Sequence, residues 1–500
     1  MTGASARRSK RSSDKQKGRS SSSSSKKQKI FMRGLYNLGN TCFMNSTLQS
    51  LASLEDFNAY ADNCVSLLAT TGGSSSCSPD ADIAVELKRV LDQLQPQSHR
   101  VSACSPRELV NSLSRKSQWM ASRAEQDAQE LFQMVSSTLQ AMMRESDASL
   151  FNSEFLANNA PIENSIISTA SQPGSSRTES STGRRSSRRS STAAACRMPQ
   201  FANPLLGMAA SRIACVKCGY TAAIRHFTFD NLSLSVPRVR NTTVEECLSL
   251  YTVIDQLDDF KCRYCTVVAT LARTKADAQK AEAALAELDA SSKRATRLRA
   301  TVDVLADQQR QLEQALANNP EAELEGIQLA SPPPGSSTKQ TMIARTPKIL
   351  VLHLSRSVFL PTGSAVKNTA HVRLQPLLDI SPFTTTGHMN TGASKPISGP
   401  DMSASNATML GLDSHAQARR NNCLYRLSAV VFHAGAHDSG HYYAYRRVPP
   451  VATSSEDSGA LQSSAETGRW FLLSDTETSE VSIDTVFGAG TGYMLFYERL

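Results

Sequence analysis

The chain of 500 residues lacks any run of about 18 consecutive apolar residues, so we expect no transmembrane helix. Its first residues are basic, but no apolar stretch follows them, and we therefore expect no secretory signal. Its 11 cysteines are too few, and odd in number, for a disulfide scaffold. These absences predict an intracellular protein in a reducing compartment, where thiols serve as core residues, metal ligands or nucleophiles.

A broad basic surface is also missing, although the net charge is +9. Residues 1–33 hold 11 Lys and Arg against one Asp, whereas the other 467 residues hold 43 basic and 44 acidic side chains. The body therefore has no excess positive charge for specific binding of nucleic acid. The tail, residues 1–33, is predicted to be disordered and either simply solvated or, through RRSKR at 7–11, an import or anionic-surface signal.

Low-complexity stretches interrupt an otherwise globular pattern that runs from residue 34 to residue 500. We predict a disordered insertion at about 157–198 and surface loops at about 384–420 and 449–468. A hairpin with its linker, residues 267–335, forms a further insertion. Without the tail and these insertions, roughly 300 residues remain, which suits one decorated domain.

Residues 267–318 carry a heptad pattern in two segments. Their repeating positions are Val267, Leu271, Thr274, Ala278, Ala281, Leu285 and Leu288, and then Leu298, Val302, Leu305, Gln309, Leu312 and Leu316. A turn signal at residues 289–292 separates the segments, and Pro320 follows the second one. The pattern predicts an antiparallel, coiled-coil-like helical hairpin, which is a candidate surface for a protein partner.

The segment GLYNLGNTCFMN at residues 34–45 predicts a tight loop followed by a helix that begins near Thr41 or Cys42. A cysteine at a helix N-terminus lies at the positive end of the helix dipole, which favours the thiolate and hence a nucleophile. Taken alone, however, this segment is more typical of a buried structural cysteine. A nucleophilic Cys42 also needs a base.

His441 is the histidine with the most distinctive surroundings. Residues 425–432 predict a strand, residues 435–440 a polar turn, and His441 opens a second strand with Tyr443 and Tyr445. A hairpin of this kind can present an imidazole at its edge. Alone, this pattern is also compatible with a structural histidine.

Four further cysteines form two Cys-x-x-Cys pairs, Cys215 with Cys218 and Cys262 with Cys265, separated by 43 residues. Each pair falls in what we expect to be a hairpin-like turn. The spacing predicts a zinc ribbon with one structural ion, because four thiolates leave no open position for a catalytic water. Disulfides or unpaired core thiols are the alternatives.

The Cys and His segments together resemble the ubiquitin-specific proteases, a family of papain-like cysteine deubiquitinases. Four other segments resemble family motifs in the same order: EQDAQELFQMV at 125–135, PKILVLHLSR at 347–356, and the two closing strands RWFLLSD at 469–475 and YMLFYERL at 493–500. The resemblance spans about residues 34–500 without the insertions. It implies an α+β fold with a papain-like core, divided into thumb, palm and zinc-ribbon fingers, from which the helical hairpin projects.

The resemblance also implies roles for individual residues. Cys42 corresponds to the nucleophile, His441 to its general base, and Asn37 to the amide that stabilises the oxyanion. At the third catalytic position the family usually has Asp or Asn, whereas this chain has Ser474, followed by Asp475. We favour Ser474 as acceptor from the imidazole Nδ1–H, with Asp475 as the alternative.

By this resemblance the chain hydrolyses the bond after the C-terminal glycine of ubiquitin, and its partners are ubiquitin and ubiquitinated proteins. The alternative is a catalytically weak scaffold that binds ubiquitin, which the unusual Ser474 suggests. Serine at this position resembles the mitochondrial outer-membrane branch of the family. That branch has an N-terminal membrane helix, which we do not expect here, so its location does not transfer. We expect a cytoplasmic or nuclear protein, and only the family resemblance suggests a mitochondrial surface.

Overall fold

The structure is a computed structural model. It describes residues 29–70, 79–117, 126–146, 202–289, 291–331, 335–385, 390–398, 419, 421–437, 439–450 and 468–500. The predicted insertion at 157–198 and residues 1–28 of the predicted tail lie outside the described residues. Most of the predicted loops at 384–420 and 449–468 lie outside them as well.

Most of the described residues lie in helices and strands. In chain order these elements are α1 (Cys42–Leu51), α2 (Glu55–Thr70), α3 (Pro79–Gln93), α4 (Arg107–Lys116), α5 (Ala128–Ser146), β1 (Gly207–Cys215), β2 (Arg225–Phe229), β3 (Leu232–Ser235), β4 (Asn241–Thr243), α6 (Val244–Tyr251), β5 (Asp255–Phe260), α7 (Arg263–Ala286), α8 (Lys293–Asn318), β6 (Gly335–Arg345), β7 (Ile349–Ser355), β8 (Ser357–Phe359), β9 (Ala365–Lys367), β10 (His371–Arg373), β11 (Leu377–Asp379), β12 (Leu424–Gly435), β13 (Gly440–Val448), β14 (Arg469–Ser474), β15 (Glu477–Val481), α9 (Ile483–Gly488) and β16 (Gly492–Arg499). Among them, no helix combines the length and apolar character that crossing a membrane requires.

A large mixed sheet forms the palm. Its strand order within the described residues is β15-β14-β13-β12-β16-β7-β3, and β11 pairs with β12. Strand β7 shows why the sheet has a core on each face: Ile349 and Val351 face one cluster, while Leu350, Leu352 and Leu354 face the other. Strand side chains alternate between faces, so a strand that is covered on both sides must be apolar almost throughout.

Helices α1 to α5 form the thumb and cover one face of the palm. All ten residues of α1 are buried, because this helix lies between the other helices and the sheet. Two of its buried hydroxyls find a partner inside the helix, because Thr47 and Ser46 donate to the Phe43 carbonyl at 2.8 and 3.0 Å. Leu48 is fully buried, and Leu48→Ala would cost about 2–5 kcal/mol of unfolding free energy.

The fingers are a second sheet with strand order β2-β1-β6-β5. They continue from one edge of the palm, because β2 leads after two residues into β3, and β6 leads after three into β7. The α+β architecture with thumb, palm and fingers is therefore as predicted. It places the fingers at the β3–β7 edge of the palm, opposite the β15 edge.

The predicted helical hairpin is present as α7 and α8, which pack against each other. Every one of the thirteen predicted heptad positions is buried or half-buried, whereas most of the remaining residues of the two helices are exposed. The first helix ends at Ala286 and the second begins at Lys293, on either side of the predicted turn, and the second helix ends at Asn318, just before Pro320. Lys275 on α7 and Glu313 on α8 form an ion pair at 2.9 Å across the antiparallel pair.

Two boundaries differ from those expected. Met32, in the predicted tail, is 5% exposed and packs near Phe471 and Leu473, so the fold begins before residue 34. Residues 390–398, in a predicted surface loop, are held against the fingers, where the buried Arg212 donates to the carbonyls of Asn390 and Lys395. Their polar composition suggested solvent, but their backbone satisfies buried donors of the finger sheet.

Candidate active site and metal centre

A loop containing glycine and asparagine leads into the first turn of α1. Gly39 and Asn40 have φ angles of 102° and 51°, in the region that these two residue types tolerate best. The Asn37 side-chain oxygen accepts hydrogen bonds from the backbone amides of Gly39 at 3.0 Å and Thr41 at 3.1 Å. The loop is thus closed by its own side chain, and α1 begins at Cys42, which is 4% exposed.

The carboxylate of Asp475 joins this loop to the β14–β15 hairpin. Its Oδ2 accepts from Asn37 Nδ2 at 2.9 Å, and its Oδ1 accepts from Asn45 Nδ2 at 2.7 Å. Because Asn37 Oδ1 faces backbone amides and its Nδ2 faces a carboxylate, one orientation of the amide satisfies both sides. The second hydrogen of Asn37 Nδ2 can then be donated to an oxyanion.

Backbone contacts bring the same two segments together. Leu35 N donates to the Asp475 carbonyl at 2.8 Å. A Cβ atom on Gly34 would lie 2.7 Å from Thr476 Cα and 2.8 Å from the Asp475 carbonyl oxygen. Only glycine therefore allows the Cys-containing segment to approach the hairpin this closely.

His441 is the second residue of β13 and pairs with Ala434 on β12. Its Nε2 lies 2.8 Å from Ser474 Oγ, at the end of β14. The turn before it requires glycine at Gly435, where φ is 126° and a Cβ would lie 2.4 Å from the Ser439 carbonyl oxygen. The structure thus brings the predicted base and Ser474 into direct contact.

The ring nitrogen in this contact differs from the one we expected. We predicted that Ser474 accepts from Nδ1–H, but the hydroxyl lies at Nε2. Nδ1 is then the nitrogen that can take a proton from a nucleophile. The choice depends on the rotation of the imidazole about χ2, which no sequence pattern fixes.

Ser474 and Asp475 are neighbours in sequence with separate contacts. Ser474 contacts the imidazole, and Asp475 accepts from Asn37, the predicted oxyanion donor, and from Asn45. We had assigned no role to Asn45. A usable signal was present, since an asparagine three residues into a buried helix needs a partner for its amide.

Helix α1 lies alongside β13, so the segment that contains Cys42 packs against the segment that contains His441. At the C-terminal end of α1, away from Cys42, the buried Arg446 donates to the Ala52 carbonyl at 2.6 Å. From Cys42 to Ala52 the helix advances about 15 Å, and from His441 to Arg446 the strand advances about 17 Å. Cys42 and His441 therefore lie at similar distances along their elements from the Arg446–Ala52 contact.

A polar and aromatic cluster joins the thumb to the palm beside this site. The Tyr493 hydroxyl donates to Asp127, and the His353 ring lies edge-on to Tyr493 with centroids 4.8 Å apart. His353 Nδ1 is 2.9 Å from Ser233 Oγ. Burial lowers the pKa of His353 to about 4, although the nearby charge of Asp127 opposes this shift. We had assigned no role to these residues, and a histidine inside an apolar strand was the available signal.

The four predicted metal ligands lie together at the fingertips. The Sγ atoms of Cys215, Cys218, Cys262 and Cys265 all lie within 4.8 Å of one another. The Cys215–Cys265 and Cys218–Cys262 pairs are 4.0 and 3.6 Å apart. A tetrahedral ion with metal–sulfur bonds of about 2.3 Å requires sulfur–sulfur distances of about 3.8 Å. The four thiols are therefore positioned to bind a metal ion.

The second Cys-x-x-Cys pair is not in a hairpin-like turn, as we had expected. Cys262 is the N-cap of α7, with no side-chain hydrogen bond to the helix, and Cys265 lies in the first turn. Tyr220 and Tyr264 stack at 5.6 Å beside the two pairs. Burial raises the pKa of the Cys265 thiol to about 11, so a metal ion must displace a proton from it.

Comparison with known proteins gives consistent matches. Residues 33–497 match the family described as ubiquitin carboxyl-terminal hydrolase. The chain is 23% identical to ubiquitin carboxyl-terminal hydrolase 30 of Xenopus tropicalis, over 95% of this chain and 82% of that protein. It is 27% identical to ubiquitin carboxyl-terminal hydrolase 16 of Emericella nidulans, over 86% of this chain and 65% of that protein.

A solved structure shares the fold. It is described as the SAGA Ubp8/Sgf11/Sus1/Sgf73 DUB module bound to ubiquitin aldehyde, and it matches 94% of this chain and 69% of that chain, with a TM-score of 0.50 and 18% identity. The family match covers nearly the whole chain, including the Cys and His segments. This chain therefore belongs to the ubiquitin carboxyl-terminal hydrolase family of cysteine peptidases.

Proposed function

We propose that this protein is a thiol-dependent deubiquitinase, which hydrolyses the isopeptide or peptide bond after the C-terminal glycine of ubiquitin. One observation carries the proposal. The β14–β15 hairpin contacts both halves of a cysteine-protease site, since Ser474 lies 2.8 Å from His441 and Asp475 lies 2.9 Å from Asn37, five residues before Cys42.

Each residue has a defined role in this proposal. The Cys42 thiolate attacks the carbonyl carbon of the terminal glycine, after His441 has taken the thiol proton. The carbonyl oxygen becomes an oxyanion, to which Asn37 Nδ2 donates its second hydrogen. His441 then gives the proton to the leaving amine, and a thioester remains. Water, deprotonated by His441, hydrolyses the thioester and releases the ubiquitin carboxylate and Cys42.

Ser474 orients the imidazole in this scheme. A hydroxyl can fix the ring at Nε2, but it cannot neutralise an imidazolium ion as a carboxylate does. We propose on this basis that the chain lies nearest the branch of the family with serine at the third position. Its presence at a mitochondrial surface, or elsewhere in the cytoplasm or nucleus, is a proposal that imaging of the tagged chain in cells tests.

We propose that the metal bound by the four fingertip cysteines is one structural zinc ion. Four sulfur ligands within 4.8 Å of one another suit the size and preferences of zinc. Elemental analysis of protein purified without chelator tests both the identity and the number of ions. A different metal, or a stoichiometry far from one, would contradict this assignment.

The proposed activity is tested with ubiquitin that carries a thiol-reactive group at its C-terminus. We expect a covalent adduct at Cys42, mapped by mass spectrometry, and at no other cysteine. Cys42→Ala should abolish both adduct formation and cleavage, while the half-buried Cys104→Ala should leave both intact. An adduct at another thiol, or cleavage by the Cys42→Ala protein, would overturn the proposal.

A further inference from the structure

A second histidine, His433, contacts the residues on either side of His441 and has no part in the chemical steps proposed above. It pairs with Tyr442 across the β12–β13 ladder, and the two rings stack with centroids 4.4 Å apart. A Cβ atom on Gly440 would lie 2.6 Å from His433 Nε2, so the same ring also covers the residue before His441. Because His433 is 8% exposed, it holds both chain neighbours of the proposed base from inside the fold.

Lys367, the last residue of β9, holds His433 in turn. Its Nζ donates to the His433 carbonyl at 2.7 Å and to the Gly435 carbonyl at 3.0 Å, and it lies 3.2 Å from His433 Nδ1. The nitrogen must be the acceptor in this last contact, because an ammonium group only donates. One half-buried ammonium group therefore fixes both the backbone and the ring of His433.

The strand pairing explains why a cationic donor is useful at this place. Within the described residues, the last pairing of β12 with β16 is that of Phe432 with Gly492, and β12 continues for three residues beyond it, to Gly435. Carbonyl groups of successive strand residues point to opposite sides, so those of His433 and Gly435 point to the same side. The Lys367 ammonium group binds both of them there, where the neighbouring strand has ended. It thus replaces a strand just before the chain turns toward His441.

The β8–β9 hairpin contacts the connection between β12 and β13 at a second point. Ser357 pairs with Lys367 at the base of this hairpin, and its Oγ lies 2.9 Å from His437 Nε2. His437 lies in the connection, after Gly435 and before His441. The hairpin therefore contacts both the end of β12 and the segment that leads to the proposed base.

We propose that Lys367 is a positioning residue for the reaction, which acts through His433 to hold the backbone of His441 in its place beside α1. The proposal rests on the deubiquitinase function above. It assigns two different constraints to the same imidazole: Ser474 fixes the rotation of the ring from β14, and Lys367 fixes the backbone from β9. Misplacement of a reacting group by about 1 Å can lower a rate about a hundredfold, so a residue that touches no substrate can still control turnover.

The test uses Lys367→Met in the full chain, because methionine keeps most of the length of the side chain and removes its donors. Lys367→Arg is the conservative variant, since a guanidinium group can donate to two carbonyls. Lys339→Met, at an exposed lysine of the finger sheet, is the matched control for the loss of one positive charge. Thermal unfolding shows that each variant is folded before the rates are compared.

Two rates separate positioning from substrate binding. On a ubiquitin amide with a small fluorescent leaving group, Lys367→Met should lower kcat by about ten- to a hundredfold and leave KM unchanged. Alkylation of Cys42 by iodoacetamide, mapped by mass spectrometry, needs no ubiquitin and reports the formation of the thiolate, which His441 assists. This rate should also fall in Lys367→Met. Lys367→Arg should recover most of both rates, and Lys339→Met should lose neither.

Several results would overturn the proposal. A rise in KM without a loss of kcat would assign Lys367 to substrate binding. Alkylation of Cys42 in Lys367→Met at the rate of the unsubstituted chain, or no recovery in Lys367→Arg, would exclude action through His441. Failure of the unsubstituted chain to cleave the ubiquitin amide would instead contradict the deubiquitinase function, and the alkylation rates would still test the positioning of His441.

A second variant does not depend on the folding of Lys367→Met. His433→Ala leaves the lysine in place and removes the ring that packs on Gly440 and Tyr442. It should lower kcat and the alkylation rate of Cys42 without raising KM, and it should increase hydrogen exchange at the amides of residues 440–442. Unchanged rates in His433→Ala, or unchanged exchange at these amides, would overturn the proposal.

Discussion

The thumb–palm contact and the fingertips hold their functional cysteines in opposite ways. Cys42 begins a helix whose ten residues are all buried, and the groups around it come from segments more than 400 residues apart. Two of the four fingertip thiols, Cys262 and Cys265, lie at the start of α7, a 24-residue helix in which only Val267, Thr270, Thr274 and Ala281 are buried. The active site is therefore fixed by a packed core, and the fingertip by local spacing and the metal that the thiols are positioned to bind.

This difference indicates which perturbations each region tolerates. A buried core transmits small displacements, so the active site should be sensitive to the loss of any side chain that holds its segments together. The hairpin is stabilised by its own narrow seam and by contacts at its base, such as Arg263 with the carbonyls of Pro320 and Ala322 at 3.1 and 2.8 Å. Damage to the fingertips should therefore remain local.

The largest effect is expected from Asp475→Ala, which removes the acceptor that holds Asn37 and Asn45. We expect kcat to fall by about 10²- to 10³-fold, as for loss of an oxyanion donor, with little change in the affinity for ubiquitin. Steady-state kinetics on a ubiquitin amide with a small fluorescent leaving group measures this. The exposed Asp484→Ala is the control, and a loss of less than threefold in Asp475→Ala would contradict the role.

Loss of a metal ligand should lower the stability of the fold more than it lowers the rate of cleavage. We expect Cys218→Ser to lower the free energy of unfolding by about 3 kcal/mol and to increase hydrogen exchange around Tyr220 and Tyr264. The rate of cleavage of a small ubiquitin amide at saturating substrate should change little. Acid should release the metal, because protons compete for thiols such as Cys265. Cys104→Ser is the control, and equal destabilisation by both variants would contradict a metal centre.

The thumb–palm contact should also lose stability in acid. His353 is buried and has a pKa of about 4, below the ordinary value of 6.5, so the unfolded chain binds its proton first. Its contribution is complete above pH 6.5 and is lost as the pH falls toward 4, by about 3 kcal/mol. His353→Asn should flatten this dependence in denaturant unfolding between pH 7 and pH 4.5. The exposed His226→Asn, in the fingers, should not, and identical slopes for the two variants would refute the assignment.

The smallest effect is expected at Ser474. Ser474→Ala should lower kcat by about tenfold, the value of one orienting hydrogen bond, and leave ubiquitin binding unchanged. Ser474→Asp should keep or restore turnover, because a carboxylate also accepts from the imidazole. Ser479→Ala is the control on the same hairpin. If Ser474→Ala has no effect while Asp475→Ala does, the orienting role of Ser474 is wrong.

Local sequence patterns were sufficient to predict the elements that are fixed by interactions between residues close together in the chain. The heptad positions from Val267 to Leu316 predicted the hairpin and its seam, because burial in a helix pair follows the helical period. The Gly and Asn residues before Cys42 predicted a tight loop, and the structure has that loop with positive φ angles at Gly39 and Asn40, which few other residue types adopt. The two Cys-x-x-Cys pairs predicted a cluster, although not the helix at which the second pair lies.

Contacts between distant segments were decided by the tertiary structure alone. The sequence determined that Cys42, His441, Ser474 and Asp475 are present and which elements carry them. It did not determine that Ser474 meets Nε2, that Asp475 holds two asparagines, or that Met32 belongs to the core. The reason is physical: side-chain rotation and the approach of strands are fixed by packing across the whole core, whereas periodicity and turn residues report only on neighbours along the chain.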